Sequence, residues 1–279
     1  MNDLSTYKIY ALSDRSVVLD LGNTIDEVVN RKVLSVLAWM RAHTFPGLRD
    51  LVAAYSSLTV LYDPVLLYKE YMVGYVAGIS TRLADDADEH SGHAAAVGGV
   101  GKTGLCGDIA GVVTAPATAF ELVKQKLEEA WHQAEDFGMM TDREISIPVC
   151  YDPRFGPDLE EMARTKNLTV HELVQLHCST TYRVYMLGFL PGFPYMGKVD
   201  ERLVMPRRPQ PRDVAAGSVG IAGWQTGIYP LASPGGWQII GRTPLKLFNA
   251  AKDPPVLLNA GDMVRFYPVT VQEFESLNI

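Results

Sequence analysis

The sequence contains few cysteines, and their spacing suits neither a disulfide framework nor a metal site. Among its 279 residues there are three, Cys106, Cys150 and Cys178, and no two of them form a C-x-x-C pair. An odd and sparse set of this kind is typical of a reducing compartment and argues against structural disulfides and zinc. We therefore expect a cytoplasmic protein that binds no metal.

Long apolar runs and basic clusters are also missing. No apolar run approaches the roughly 20 residues that span a bilayer, and residues 1–16 lack the basic start and apolar core of a signal peptide. The net charge is −7 without any Lys/Arg-rich run, which argues against nucleic acid or anionic lipid as the main partner. The sequence favours a small-molecule substrate, with neither nucleic acid nor membrane involved.

The length and composition fit a globular protein with one large domain or two modest ones. Hydrophobic residues make up 47% of the chain and charged residues 20%, which is ordinary for such proteins. The residue pattern changes near residues 138–142. We predict an α+β protein in which a small α/β domain (residues 1–140) precedes a β-barrel domain (residues 141–279).

Strand and helix signals alternate in the first third of the chain. Residues 16–21 (SVVLDL) form a short β-branched run, and Thr24 with Glu27 has the spacing of a capping box that begins a helix. Residues 58–62 alternate as a half-buried strand does, and residues 120–134 predict an amphipathic helix. Residues 64–118, rich in Gly, Ala and Asp, indicate an insertion or a long loop.

The last 140 residues have a different character. Pro157 and the Thr169–Glu172 capping box predict the starts of two short helices, the second carrying His177. Ten of the 24 glycines and seven of the 17 prolines lie between residues 188 and 241. Such punctuation excludes long helices and predicts short strands with tight turns, as in a compact barrel or sandwich.

Residues 96–104 (AVGGVGKTG) satisfy two nucleotide-binding patterns at once. Ala96 to Thr103 fits a loose Walker A pattern, and Gly99, Gly101 and Gly104 fit G-x-G-x-x-G. A working loop of either kind follows a buried strand and opens a helix. The preceding residues 88–95 (DEHSGHAA) predict no strand, so we interpret the match as the result of composition.

Candidate functional side chains lie among the stiff turns of residues 188–243. Guanidinium and amide groups on rigid loops suit recognition of a carboxylate or phosphate; the alternative is that the arginines are simply solvated at the rim of a barrel. The two tryptophans of this stretch are expected to pack in a core. The polar side chains among these turns are Arg207, Arg208, Arg212, Gln225, Thr226, Tyr229 and Arg242, and all of these except Arg208 are our candidates.

His177 has two interpretations. Val170, Leu173 and Val174 share its helical face, so it is either a buried core histidine or a general acid–base with Tyr182 within reach. Neither a G-x-S-x-G sequence nor a Cys/His pairing suggests a covalent nucleophile.

Three longer segments carry a family resemblance: residues 177–197 (HCSTTYRVYMLGFLPGFPYMG), 206–212 (PRRPQPR) and 216–244 (AGSVGIAGWQTGIYPLASPGGWQIIGRTP). They resemble the family of the 5-oxoprolinase B subunit, also described as allophanate hydrolase subunit 1 or the Kip kinase-inhibitor family. The resemblance implies an α/β domain followed by a cyclophilin-like barrel. It also implies a complex with companion A and C subunits that hydrolyses 5-oxoproline to L-glutamate with ATP, in which the chain that binds ATP is not identified.

On that resemblance, His177 is expected to act as acid–base or orienting group, Arg207, Arg212 and Arg242 as anion binders, and Gln225, Thr226 and Tyr229 as positioning groups. Two alternatives remain: inhibition of a sensor histidine kinase, and carboxyl transfer in urea breakdown, although no Met-Lys-Met biotin-carrier sequence is present. The sequence departs from the family pattern at residues 64–118, at Ala215 and at Trp224, and the last change bears on which substrate is bound.

Overall fold

The computed structural model describes residues 6–71, 118–134 and 143–277, which form a mixed α+β fold with two large sheets and a short antiparallel one that pairs residues 212–214 with residues 233–235. The helices are α1 (Glu27–Ala42), α2 (Ala119–Gln133), α3 (Leu159–Thr165), α4 (Val170–Ser179) and α5 (Val271–Leu277), with a 3₁₀ turn at Glu201–Leu203; residues 64–71 are also helical. The strands are β1 (Lys8–Ser13), β2 (Ser16–Asp20), β3 (Leu48–Ala53), β4 (Ser57–Tyr62), β5 (Glu144–Val149), β6 (Thr181–Leu187), β7 (Pro194–Gly197), β8 (Arg212–Val214), β9 (Ser218–Ala222), β10 (Gln225–Ile228), β11 (Ser233–Gly235), β12 (Gln238–Arg242) and β13 (Met263–Pro268).

The first sheet is antiparallel, in the order β1-β2-β4-β3, and packs against α1 and α2. The predicted strands at 16–21 and 58–62 and the helix at 120–134 are confirmed. Burial follows the expected periods, because β4 alternates between buried and half-buried positions. The resulting core contains Val17, Leu19, Val33, Leu34, Met40, Leu58, Val60, Val123 and Leu127.

The predicted start of α1 is wrong in its capping residue. Asp26 is the N-cap, with its Oδ1 accepting hydrogen bonds from the backbone N–H groups of Val28 (2.9 Å) and Val29 (3.1 Å). Glu27 is instead the first helical residue and pairs with Arg31. A carboxylate next to the first turn competes well with a hydroxyl further upstream, since it also meets the positive end of the helix dipole.

The second sheet has seven strands in the order β12-β9-β10-β7-β6-β13-β5, with β13 and β5 parallel and the other pairs antiparallel. It curls until the ends of its two edge strands meet, where Cys150 and Arg242 exchange backbone hydrogen bonds of 2.8 and 3.1 Å. α4 packs on β13 and α3 on β12. The capping box predicted at Thr169 and Glu172 is confirmed. The enclosed core includes Ile147, Val149, Leu173, Tyr182, Val184, Val219, Ile221, Ile240 and Phe266.

A buried carboxylate fixes the edge of this sheet. The side chain of Asp158, 3% exposed, accepts hydrogen bonds from Arg208, Arg212 and the backbone N–H of Ile239, while its own N–H donates to the Ile239 carbonyl. The chain passes so close here that a Cβ on Gly156 would lie 2.2 Å from the carbonyl oxygen of Ile240. The residues before α3 therefore cover the edge of β12 and anchor the arginine-rich loop.

The two sheets are joined through buried Asn30 on α1. Its Nδ2 donates to the carbonyl groups of Ala54 (3.3 Å), Tyr55 (3.1 Å) and Tyr185 (3.1 Å), and its Oδ1 accepts from Arg183. One amide thus ties the turn between β3 and β4 to strand β6. None of the helices in the described part of the chain has the length and apolar character needed to cross a bilayer.

Replacing Asp158 with Asn is expected to lower the free energy of unfolding by about 3 kcal/mol or more, because two partly buried guanidinium groups lose their counter-charge. Asp152→Asn is the control, since Asp152 pairs with Arg154 at an exposed site and is expected to change stability by less than about 1 kcal/mol. Urea denaturation of both variants measures the difference. Equal losses in the two variants would contradict the role assigned to Asp158.

Candidate functional site

The arginines of residues 206–212 have different environments. Arg208 and Arg212 are both held by Asp158, with their side chains about one-third exposed. Arg212, expected to bind an anion, therefore already has a carboxylate partner within the chain. Arg207 is exposed and forms no ion pair with any residue that the structure describes. It is the arginine of this loop that is available to an external anion.

Arg207 lies beside a group of tyrosines. Burial raises the pKa values of Tyr55, Tyr195 and Tyr229, and the positive charge of Arg207 acts in the opposite direction on each of them. The rings of Tyr55 and Tyr195 are 6.3 Å apart, and those of Tyr195 and Phe193 4.8 Å. These tyrosines stay protonated at neutral pH, so they present neutral hydroxyl groups near one cation.

Gln225 begins β10 and faces this cluster. Its Nε2 donates a hydrogen bond to the hydroxyl of Tyr55, which belongs to the turn between β3 and β4. Thr226, the next residue, points to the opposite side of the strand and is fully buried. Strand alternation therefore separates the two predicted residues, with Gln225 toward the tyrosines and Thr226 toward the core.

His177 is completely buried in a hydrogen-bonded chain. Thr226 Oγ1 donates to the carbonyl of Gly220 (3.1 Å), so it accepts from His177 Nε2 (2.9 Å). The neutral ring then accepts a hydrogen bond at Nδ1 from the hydroxyl of Tyr151 (2.8 Å), and desolvation lowers the pKa of His177 to about 3. The imidazole is a neutral link between α4, β10 and Tyr151.

Tyr182 and Tyr229 are buried, and Arg242 lies away from Gln225. The Tyr182 hydroxyl donates to the backbone carbonyl of His177 (2.9 Å). Tyr229 packs edge-on against Phe193, with ring centroids 5.1 Å apart. Arg242 pairs with Ser218 at one end of β9, whereas Gln225 pairs with Ala222 at the other end. The Nε of Arg242 donates a hydrogen bond to the Ala216 carbonyl (2.7 Å). Of the predicted residues, Gln225 is bonded to Tyr55, and the charge of Arg207 acts on both Tyr55 and Tyr229.

A cleft lies next to Gln225, where the loop before α1 approaches β6 and β7. Two adjoining cavities of about 460 and 340 Å³ share Ile25, Asp26 and Lys198 as lining residues. Trp224 lines the first cavity and is 45% exposed, so the expectation that it packs in a core is wrong, while Trp237 is buried as expected. Trp224 follows Gly223, whose φ is +57°, in the two-residue turn between β9 and β10, and the tip of a hairpin projects outward.

Several residues around this site were missed by sequence reasoning. Tyr55, Lys198 and Tyr151 belong to no motif, and the sequence places Asp158 only at the start of a short helix. It is the N-cap of α3, but its side chain makes no cap hydrogen bond and binds the two arginines instead. Within the described ranges, no group of three His, Cys, Asp or Glu residues is arranged to hold a metal. The glycine-rich residues 96–104 lie outside the described residues.

The chain matches a family model described as carboxyltransferase domain, subdomain C and D, over residues 7–97 and 110–258. The matched ranges include most of residues 64–118, expected to be an insertion, and leave residues 98–109 unmatched. The chain is 38% identical over 272 residues to the 5-oxoprolinase B subunit of Bacillus subtilis (strain 168), covering 97% of this chain and 96% of that protein. It is 51% identical over 145 residues to the 5-oxoprolinase B subunit of Escherichia coli O157:H7, and this match covers 52% of this chain and 66% of that protein.

Solved structures show the same fold in longer chains. A crystal structure of TTHA0988 has a TM-score of 0.66 and 30% sequence identity over 91% of this chain, which spans 40% of that chain. The urea amidolyase of K. lactis has a TM-score of 0.63 at 17% identity, with 99% of this chain and 16% of that chain covered. The second likeness is one of fold.

His177→Gln is expected to remove part of the acid sensitivity of the protein. Unfolded histidine has a pKa of about 6.5, well above the native value of about 3. Between these values the unfolded chain binds a proton that the native state does not, so this contribution to stability decreases as the pH falls. The stability advantage of the wild type over the variant is expected to shrink by about 1 kcal/mol per pH unit between about pH 6 and 4. Urea denaturation at several pH values measures it; a constant difference would contradict a buried neutral His177.

Proposed function

The chain belongs to the carboxyltransferase domain, subdomain C and D family, and on that premise we propose that it is one subunit of an ATP-dependent 5-oxoprolinase complex, hydrolysing 5-oxoproline to L-glutamate. The observation that carries the proposal is the match to the 5-oxoprolinase B subunit of Bacillus subtilis, which extends over nearly the full length of both proteins. The cytoplasmic location expected from the cysteines remains part of the proposal.

We propose that the fold consists of two domains, the second a cyclophilin-like barrel. The separate hydrophobic clusters of the two sheets and the curled seven-stranded sheet support this division. The boundary expected near residues 138–142 lies outside the described residues.

The reaction needs an activated lactam. Transfer of the γ-phosphoryl group of ATP to the lactam oxygen would make the ring carbon more electrophilic and release ADP. One water then adds to that carbon, the C–N bond breaks and the nitrogen takes up a proton. A second water releases phosphate from the resulting acyl phosphate and leaves L-glutamate. Cationic groups stabilise the negative charge that builds up on oxygen during these steps.

The predicted residues take different roles in this proposal. Arg207 binds an anionic group of the substrate, Gln225 orients the ligand, and Tyr229 helps to position the site from its buried place against Phe193. His177, Thr226 and Tyr182 act from inside by holding β10, since their hydrogen bonds are made within the core. Arg212 fixes the loop that carries Arg207, through Asp158. The anion-binding role of Arg242 stays a prediction.

The companion A and C subunits of 5-oxoprolinase are the proposed partners, and the chain is proposed to be inactive without them. The test is co-expression of the three chains, with ATP-dependent release of glutamate from 5-oxoproline as the readout. Omission of this chain is expected to abolish turnover. Unchanged turnover without it would refute the proposal, and ATP-dependent carboxylation of urea by the same mixture would favour the carboxyl-transfer alternative.

In the assembled complex, Arg207→Gln is expected to lower kcat/KM for 5-oxoproline by about 10- to 100-fold, because a charged hydrogen bond to the substrate is lost. Arg154→Gln is the matched control, since Arg154 is an exposed arginine paired with Asp152. Steady-state kinetics of both complexes measure the effect. Equal kcat/KM values for the two variants would remove Arg207 from the site.

A further inference from the structure

The turn between β3 and β4 brings one side chain of the first sheet to the Arg207 cluster. Tyr55 lies at this turn, and its backbone carbonyl is held by Asn30, which also binds the carbonyl of Tyr185 on β6. The Tyr55 ring packs between those of Tyr185 and Tyr195, at centroid distances of 5.4 and 6.3 Å. Backbone anchoring and ring packing together leave the Tyr55 hydroxyl little freedom to move.

This hydroxyl decides which end of the Gln225 amide is exposed. Gln225 Nε2 donates to Tyr55, and an amide that uses its NH₂ end in this way presents its Oε1 on the other side. The Oε1 atom accepts no hydrogen bond from the residues that the structure describes. Gln225 therefore presents a free acceptor, Oε1, to a ligand, next to the one N–H of its amide that Tyr55 does not use.

An acceptor and a cation meet around Tyr55. The backbone N–H of Arg208 donates to the carbonyl of Gly236 (2.7 Å), which places Arg207 next to the segment that carries Trp237. The Trp237 ring is 5.9 Å from that of Tyr195, which neighbours Tyr55, and Gln225 is hydrogen-bonded to the Tyr55 hydroxyl. Arg208 and Arg212 of the same loop are held by Asp158, which leaves Arg207 to meet an anion. The pair suits a ligand in which an N–H donor sits next to a carboxylate.

We propose that Tyr55 is a positioning residue that selects a carboxylate-bearing lactam, by turning the Gln225 Oε1 toward the ring N–H while Arg207 binds the carboxylate. The inference rests on the proposed function and deepens it. In 5-oxoproline the ring nitrogen and the carboxylate are attached to the same carbon, so both contacts can be made at once. A ring that carries oxygen in place of N–H would leave Gln225 unpaired or facing an oxygen lone pair.

The test compares 5-oxoproline with its lactone analogue, 5-oxotetrahydrofuran-2-carboxylate, which has the same ring size and carboxylate but no N–H. Dissociation constants are measured by calorimetry on the full chain, and inhibition or Michaelis constants on the assembled complex. Wild type is expected to prefer the lactam by about 10-fold, the value of one hydrogen bond. In Tyr55→Phe this ratio is expected to fall to about 2 or less, because the amide loses the group that orients it.

Tyr185→Phe is the matched control, since it removes a hydroxyl from the neighbouring ring and is expected to keep the lactam preference. Gln225→Ala is expected to lose the preference as Tyr55→Phe does, and the double variant is expected to lose no more than either single one, because the two side chains act as one unit. Arg207→Gln is expected to weaken both ligands by about 10- to 100-fold without changing their ratio.

Each outcome bears on the inference. A lactam preference that survives in Tyr55→Phe overturns it, as does a preference lost equally in Tyr185→Phe. If the complex needs this chain for turnover but neither the chain nor the complex discriminates between the two ligands, the inference fails and the proposed function stands. If turnover does not need the chain, the proposed function fails, while a Tyr55-dependent lactam preference of the chain alone would still support the binding site.

Discussion

The buried carboxylate of Asp158 determines much of the architecture around the candidate site. It binds two guanidinium groups and one backbone N–H of the edge strand β12. At this edge, the carboxylate therefore accepts a backbone hydrogen bond that a further strand would otherwise accept. Because the loop at 206–212 is fixed at two arginines, the third has a defined position. The position of Arg207 beside the tyrosines thus depends on the ion pairs that Arg208 and Arg212 make with Asp158.

The candidate site lies where the two sheets meet. Asn30 fixes the distance between them through three carbonyl groups, and Tyr55 and Gln225 make a side-chain contact across the same junction. A site built in this way depends on both halves of the chain.

Polar groups in the core support the site from behind. A series of hydrogen bonds runs from the Tyr151 hydroxyl through His177 and Thr226 to the Gly220 carbonyl, and the donors all point the same way. A fully satisfied network of this kind holds its members in a single arrangement. Since Thr226 and Gln225 are consecutive on β10, fixing one limits the other. His177 thus contributes to the geometry of a surface that it does not touch.

The sequence by itself determined the elements whose signals are local. The capping box at Thr169, the helix at Ala119–Gln133 and the strands β2 and β4 follow from spacing and periodicity, and the glycine- and proline-rich stretch indicated the short strands of the curled sheet. Family-specific segments also pointed to Arg207 and Gln225. Only the tertiary structure decided which arginines pair with Asp158, that Trp224 is exposed at a hairpin tip, and that Tyr55 bonds to Gln225 from 170 residues away. The reason is physical: periodicity and capping depend on neighbours within a few residues, whereas hydrogen-bond and ion-pair partners are chosen by folding, from groups that the sequence keeps far apart.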